Sequence, residues 1–331
     1  KCLQAFINNS YYKKGGQVET NLSRARLFSA LGEKDGLLWV DFEAPTEFES
    51  DMLVEIFNFH PLAVEDCITD HSEPKVDDYE EYLFLVVHAL TMVQNNGQKE
   101  LSTIELNVFL GPNYVVTFHK APVESVAQDL LKTQQKPAGM MSAGPDLLVH
   151  TILDHLVDRY LPALHQYEEK VDLLEKDIFS KSPSREKLAT LLQLKQDIST
   201  LRRIVGPQRD TIHFLTRNAG HLIKAKHLIY FRDISDHLFR ISSLANGMHD
   251  HLTSMLEVYF SYLSSELNVV MKRLTVVATL AMPAVMIASI YGMNFRVIPW
   301  STHEYGFWAV VILTAAVTAG MFFWMRVKKW M

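Results

Sequence analysis

The tetrapeptide Tyr291-Gly292-Met293-Asn294 closes a long apolar run and holds the residues best suited to chemistry with an ion. Asn294 supplies a neutral carboxamide. A ring of such amides, one from each of several chains, accepts hydrogen bonds from the water shell of a hydrated cation. Mg2+ releases its waters reluctantly, so recognition of the hydrated ion avoids that cost. Gly292 permits a backbone unusual for other residues. The same Gly-x-Asn tripeptide also fits a plain helix C-cap with a left-handed residue. Fourteen histidines raise the question of a transition-metal centre. His249 and His251 are two apart on a helix, roughly 200° around it, and do not grip one ion together. The chain has no His-Glu-x-x-His and no Cys-x-x-Cys. Nor does it carry a nucleophile–base or phosphate-cradling motif, which argues against an enzyme.

The segment before the tetrapeptide carries a second pattern. Asp250, Ser254, Glu257, Ser261, Ser264 and Asn268 recur alternately at four and three residues, which places them on one side of a helix. Steps of seven from Asn268 then meet Thr275, Met282 and Ser289, within an uncharged stretch. A mostly polar or small stripe therefore runs from a water-soluble helix into an apolar one. Polar side chains within a membrane span face protein or water rather than lipid. One helix cannot enclose a pore, so the stripe predicts several copies around an axis. The plainer alternative is a solvated outer face that happens to end at a membrane. The opposite seam, Ile241, Ala245, Met248, Leu252, Met255, Tyr259 and Tyr262, is apolar at the same spacing and predicts packing on other helices.

These residues need an element to carry them through a bilayer. Residues 274–295 and 305–325 contain no charge, and each reaches the ~20 residues a helix needs to span hydrocarbon. Tyr291, Phe295, Trp300, Tyr305, Phe307 and Trp308 gather at one end of this pair, and Trp324 and Trp330 at the other, as in an interfacial aromatic belt. Lys272 and Arg273 precede the first span, and Arg326, Lys328 and Lys329 follow the second. The loop between has Arg296 balanced by Glu304. The positive-inside rule then predicts both termini in the cytoplasm of a multi-pass (inner) cell-membrane protein. Residues 1–14 lack an apolar core, so no signal peptide is predicted. Cys2 and Cys67 are expected to be free thiols. The net charge of −6 argues against nucleic acid and favours cations near the chain.

The organisation predicted is an α/β N-terminal domain over 1–140 and a long-helix stalk over 141–270. A pore-lining span over 271–295, an outer loop over 296–304 and a second span with a basic tail over 305–331 follow. Residues 37–42, 82–90, 103–110 and 114–119 read as strands, the last two joined as a hairpin by Gly111-Pro112-Asn113. Residues 47–58 read as a helix ending before His60-Pro61, and 133–145 as a linker. Helices are expected from Asp146, as N-cap, to about Phe179, over about 184–225 with a kink at Gly206-Pro207, and from about Ile229 without a break to Ile290. The acidic run Glu168, Glu169, Asp172, Glu175 and Asp177 reads as a solvated face that also gathers cations. Pro283 within the first span frees the carbonyl of Thr279.

The tetrapeptide at the end of the penultimate helix, the short loop and the basic-tailed last helix resemble the CorA divalent-cation transporters. Residues 60–66 (HPLAVED), 74–79 (PKVDDY), 201–203 with Pro207, 230–237 (YFRDISDH) and 268–275 (NVVMKRLT) are similar to that family's motifs in the same order. The resemblance implies a homopentamer with one central pore lined by the first span. It implies a selectivity ring of Gly292, Met293 and Asn294, and pore constrictions at Asn268, Leu274 and Met282, with Thr275 and Ser289 on the lining. It implies transport of Mg2+, with Co2+ or Ni2+ as surrogates. It also implies a regulatory Mg2+ between subunits, with Glu257 and, more weakly, Asp250 as ligands. Three features depart from the family pattern. Residues 91–99 (TMVQNNGQK) lack the partner acid, Ser289 stands where close relatives have Gly, and the loop after Asn294 lacks Met-Pro-Glu. The first implies a weak or differently built regulatory site, and the second a narrower or more polar outer pore. The third leaves room for a zinc transporter of the ZntB type. A membrane-anchored helical scaffold is the reading from another class.

Overall fold

The computed structural model describes residues 6–13, 18–69, 73–95, 98–135, 140–180, 184–218, 221–294, 298, 300, 303–328 and 330. The chain divides into two compact units, Lys1–Met255 and Leu256–Met331.

The first unit is built on a seven-stranded mixed sheet in the order β2-β1-β3-β7-β6-β5-β4. The strands are β1 (Phe6–Lys13), β2 (Val18–Thr20), β3 (Gly36–Glu43), β4 (Lys75–Asp78), β5 (Leu83–Asn95), β6 (Gln98–Leu110) and β7 (Tyr114–His119). Six of these residues, Leu37 to Phe42, are buried without a gap. That continuous burial, interrupted in polarity only by Asp41, suits a central strand covered on both faces. β3 pairs antiparallel with β1 and parallel with β7, from Leu38↔Tyr114 to Glu43↔His119. The expected β6–β7 hairpin is present, closed by Gly111 N–H donating to the Tyr114 carbonyl at 2.9 Å. A Cβ at Gly111 would meet the Tyr114 ring at 2.2 Å, so any larger residue here requires that ring to move. β5 and β6 form a second, longer hairpin, registered from Leu83↔Leu110 to Asn95↔Gln98.

One sheet face carries Leu38, Val40, Phe42, Phe84, Phe109 and Phe118 against α1 (Arg24–Leu31), α2 (Glu47–Glu55) and α3 (Pro61–Ile68). The helix expected to reach residue 58 stops at Glu55. Asn58 turns into a left-handed conformation (φ 55°), and His60 Nδ1 accepts from Leu62 N–H at 3.2 Å to start α3 with Pro61 in its first turn. The His60-Pro61 pair thus opens a helix as well as closing one.

Helices α4 (Glu124–Gln135), α5 (Pro145–Asp158), α6 (Tyr160–Ser180) and α7 (Arg185–Asn218) follow. Part of the expected linker is therefore helical at both ends. The predicted single helix from Asp146 to Phe179 is two helices, separated at Arg159. Pro162 explains the break, because it has no N–H for the Asp158 carbonyl. Asp146 does not cap its own helix. It is fully buried, and its Oδ2 accepts from Lys224 N–H at 3.1 Å and pairs with His227 Nδ1 at 2.6 Å. A buried carboxylate needs such donors, and they come from the 3-10 turn Ala225–His227 that leads into the next helix.

That helix, α8 (Leu228–Tyr291), is 64 residues long and continuous, with a contour of about 96 Å. The boundary between the units falls inside it. Ile241, Ala245, Leu252, Met255 and Tyr259 of the apolar seam are buried, whereas Tyr262 is exposed. The second unit adds α9 (Gly306–Val327). α8 and α9 are the two helices long and apolar enough to cross a membrane among the described residues. Cys67 is a buried free thiol whose pKa burial raises, and Cys2 lies outside the described residues.

Candidate functional site: the first span and its stripe

Within the second unit, α8 and α9 line a shared groove of about 910 Å³. From α8 it takes Leu280, Ala284, Ile287, Ala288 and Tyr291. From α9 it takes Gly306, Phe307, Val310, Thr314 and others. Small residues at such positions let membrane helices approach closely. Gly306 is required on these grounds: a Cβ there would sit 2.0 Å from the Trp300 carbonyl oxygen.

The stripe Asn268, Thr275, Met282 and Ser289 lies about 180° around α8 from that groove, at about 100° per residue. All four are exposed in the single chain. Met282 is 69% exposed and Leu274 63%. Leu274 precedes Thr275 by one residue, so it projects about 100° away from the line and is beside the stripe rather than on it. Thr275 Oγ1 donates to the Met271 carbonyl and Ser289 Oγ to the Val285 carbonyl, at 2.9 and 2.7 Å. These hydroxyls satisfy their protons within the helix and leave their oxygens as acceptors on the exposed face. Thr279 Oγ1 makes the same bond to Thr275, next to the carbonyl freed by Pro283.

α8 ends at Tyr291, where Gly292 N–H donates to the Ala288 carbonyl at 2.9 Å and Met293 N–H to Ile290 at 3.4 Å. Gly292 does not adopt a positive φ. The left-handed C-cap reading of this tripeptide is therefore not what the backbone does, and the unusual conformation glycine permits is not used. A Cβ at Gly292 would lie 3.2 Å from the Ala288 carbonyl, so the residue keeps the helix end narrow. Met293 and Asn294 are exposed, and Asn294 makes no hydrogen bond among the described residues. Arg296 and Ser301 of the loop lie outside the described residues.

Glu257 and Asp250 are exposed on α8, and the Asp250 carboxylate lies 3.6 Å from His249 Nδ1. On α6, Glu175 pairs with His251 Nε2 at 3.3 Å and Asp177 with Lys187 at 3.3 Å. Two members of the acidic run thus sit at pairs with neighbouring helices, while Glu168, Glu169 and Asp172 are exposed as expected of a solvated face. The residues missed by the sequence reading are a buried trio, Asp41, Glu43 and His119, and a more exposed one, Asp154, Asp158 and His237. Burial alone would lower the His119 pKa; the hydrogen bond and charge of Asp41 outweigh it and hold it above the ordinary value. The β-like run at 37–42 marked a strand, but nothing in the sequence paired it with 114–119.

The chain is similar to known proteins over nearly its whole length. A family described as "CorA-like Mg2+ transporter protein" matches residues 34–329. A candidate metal ion transporter, YfjQ of Bacillus subtilis (strain 168), is 33% identical over 297 residues, covering 88% of this chain and 89% of its own. The cobalt/magnesium transport protein CorA of Thermotoga maritima is 31% identical, covering 84% of this chain and 78% of its own. The zinc transport protein ZntB of Yersinia enterocolitica is 24% identical, covering 82% and 81%. The fold is similar to the complete CorA magnesium transporter structure from Methanocaldococcus jannaschii, with a TM-score of 0.80 at 21% identity over 99% of this chain and 100% of that one. The α/β domain, the long helix and two apolar C-terminal helices in family order place the chain plainly: it belongs to the CorA-like Mg2+ transporter family.

Proposed function

We propose that this chain is one subunit of a homopentameric channel that conducts Mg2+, with Co2+ and Ni2+ as surrogate substrates. The observation that carries the reading is the stripe Asn268–Thr275–Met282–Ser289, which faces away from α9 and ends near Asn294. A span with two exposed faces needs one against lipid. Oxygen and carboxamide acceptors are better placed toward water than hydrocarbon, so this face suits a water-filled axis between copies. A scaffold that only anchors the chain needs no such line. Five is the number implied by family membership. Gly292, Met293 and Asn294 form the outer ring, Thr275 and Ser289 line the pore, and Asn268, Leu274 and Met282 narrow it. The working divisions are 1–140, 141–270, 271–295, 296–304 and 305–331, with both termini cytoplasmic in the cell (inner) membrane. The partners are other copies, lipid and divalent cations, not nucleic acid.

The deciding experiment is flux into proteoliposomes with Mg2+ against Zn2+, with and without a pH gradient. Mg2+ entry driven by membrane potential alone supports the reading. Zn2+ entry that requires a pH gradient, with no Mg2+ entry, replaces it with the zinc alternative, which the unusual 295–305 loop and the similarity to ZntB favour. Mass measurement in mild detergent is expected to give about five times 37.9 kDa. A stable dimer contradicts a central pore. A cysteine at Ser301→Cys is expected to react with an impermeant external thiol reagent, and one appended after Met331 is not.

Regulation runs through carboxylates at contacts between copies. Clustered carboxylates repel, and a bound Mg2+ relieves that repulsion and favours a tight bundle. Glu257→Ala is expected to make protease resistance several-fold less dependent on Mg2+. Unchanged Mg2+ protection places the sensor elsewhere, in line with the missing acid in residues 91–99.

A further inference from the structure

We propose that the sheet domain binds one transition-metal cation of the Zn2+, Co2+ or Ni2+ class through His119 Nε2, Asp41 and Glu43. The site is independent of the pore reading. Its three residues stand at the C-terminal ends of the parallel pair β3 and β7. The register sets Glu43 beside His119 and Asp41 beside Thr117. Asp41 and Glu43 are two apart on one strand, so they share a face. One ligand atom from each of the three residues lies within 4.8 Å of the others.

The hydrogen bonds fix which atoms are free. His119 Nδ1 lies 2.7 Å from the Ala121 carbonyl oxygen, which only accepts, so Nδ1 carries a proton. This is the usual bond behind a metal-bound imidazole, where the far nitrogen is tied to a carbonyl. Nε2 then faces Asp41 Oδ1 at 3.1 Å. A lone pair and a carboxylate oxygen at that distance need a cation between them, either a proton or a metal ion. Asp41 Oδ1 is also held by Thr117 Oγ1–H at 2.5 Å, and Thr117 by Trp39 Nε1–H at 3.2 Å. Asp41 Oδ2 has no hydrogen-bond partner among the described residues although the residue is 0% exposed. A buried, unpaired carboxylate oxygen beside an oriented imidazole is the observation that points to a ligand. Glu43 is half-buried and supplies the second carboxylate and the open side. Its position is fixed by Ala44, held in a left-handed conformation (φ 47°) with its N–H donating to the His119 carbonyl at 2.8 Å.

The donor set selects the metal. Imidazole favours Zn2+, Co2+ and Ni2+, whereas Mg2+ prefers an all-oxygen octahedron that keeps its waters. Zn2+ holds nitrogen and oxygen ligands at about 2.0–2.2 Å, so its ligand atoms lie a little over 3 Å apart, and those of Asp41, Glu43 and His119 are already within 4.8 Å of one another. On binding, the proton on Nε2 leaves to solvent, Asp41 Oδ2 and Glu43 coordinate, and Asp41 Oδ1 keeps Thr117.

Co2+ is the probe. The purified full-length protein in detergent, with Mg2+ in large excess, is titrated with Co2+ and followed by visible ligand-field absorption and by bound metal per chain. Wild type is expected to bind one more Co2+ per chain than His119→Gln, with a four-coordinate spectrum that the variant lacks. Glu43→Gln, at a half-buried residue whose side chain makes no hydrogen bond among the described residues, is expected to fold normally and to bind that Co2+ at least tenfold more weakly. Equal Co2+ affinity and the same spectrum in wild type and a folded Glu43→Gln overturn the proposal and leave an imidazolium–carboxylate pair only. Stoichiometric displacement of the Co2+ by Mg2+ also overturns it. If His119→Gln does not fold, Glu43→Gln alone decides. Asn294→Ala is expected to leave this Co2+ in place, so failure of the pore reading and failure of this one are distinguishable.

Discussion

Asn294→Ala is expected to lower Mg2+ flux into proteoliposomes by at least 100-fold while the assembly keeps its mass. The residue is exposed, follows the end of α8 and makes no hydrogen bond among the described residues. Surface truncations of that kind change folding stability by about 0.5 kcal/mol or less. Any large effect must therefore arise in transport. In a pentamer one substitution removes five amide oxygens at once. A single hydrogen bond contributes about 0.5–1.5 kcal/mol net, more when its partner is charged or polarised by an ion. Losing five together removes on the order of 5 kcal/mol of attraction for the hydrated ion, or more than a thousandfold in occupancy. Some of that loss is recovered by water that fills the space, which sets the expected floor near 100-fold. Flux is read with a Mg2+-sensitive dye and mass by light scattering. Normal flux in a correctly assembled variant would sink the selectivity ring.

The second large effect concerns Met282. It lies on the stripe, is 69% exposed in the single chain and is the one apolar side chain among the polar or small residues Asn268, Thr275 and Ser289 of that line. Five thioether side chains converging on a narrow axis exclude water, and a hydrated divalent ion crosses a dewetted constriction only at high cost. Met282→Ala widens that constriction. The expected result is a rise in resting flux of about tenfold, with weaker inhibition by internal Mg2+, corresponding to about 1.4 kcal/mol off the barrier. Leu274 is equally exposed but stands about 100° from Thr275 around the helix. Leu274→Gly is therefore expected to raise flux less, and its glycine also costs about 1 kcal/mol of helix stability. Packing predicts the opposite sign. If both side chains only fill an interface between copies, the substitutions lower pentamer stability and reduce flux. Reduced flux with a less stable assembly in both variants rules out the gate.

Much of this protein follows from local pattern. The two uncharged runs, the β6–β7 turn at Gly111-Pro112-Asn113 and the long unbroken helix are set by residues within a few turns of one another. The carboxamide at Asn294 and the stripe at four-three spacing were legible for the same reason. Local pattern was less decisive at element ends, where His60 and Pro162 each depend on one hydrogen bond made or missing. β2, at three residues, is too short for a period to show, and β1 (FINNSYYK) carries too many polar residues to read as a strand before its partners are known.

Pairings across the chain were decided by tertiary structure alone. The parallel register of β3 with β7 joins Asp41 to His119 across 78 positions. A buried turn joins Asp146 to His227 across 81. Neither pair leaves a trace in spacing, because a strand's neighbour is chosen by the packing of the whole sheet. The same holds for the stripe. Periodicity places Thr275, Met282 and Ser289 on one side of α8, but only the groove formed by Ala284, Ile287 and Ala288 with Gly306 shows which side α9 takes. A helix has one apolar period and several apolar faces within a membrane span. The choice among those faces is made by steric fit to a second helix, which no single helix encodes.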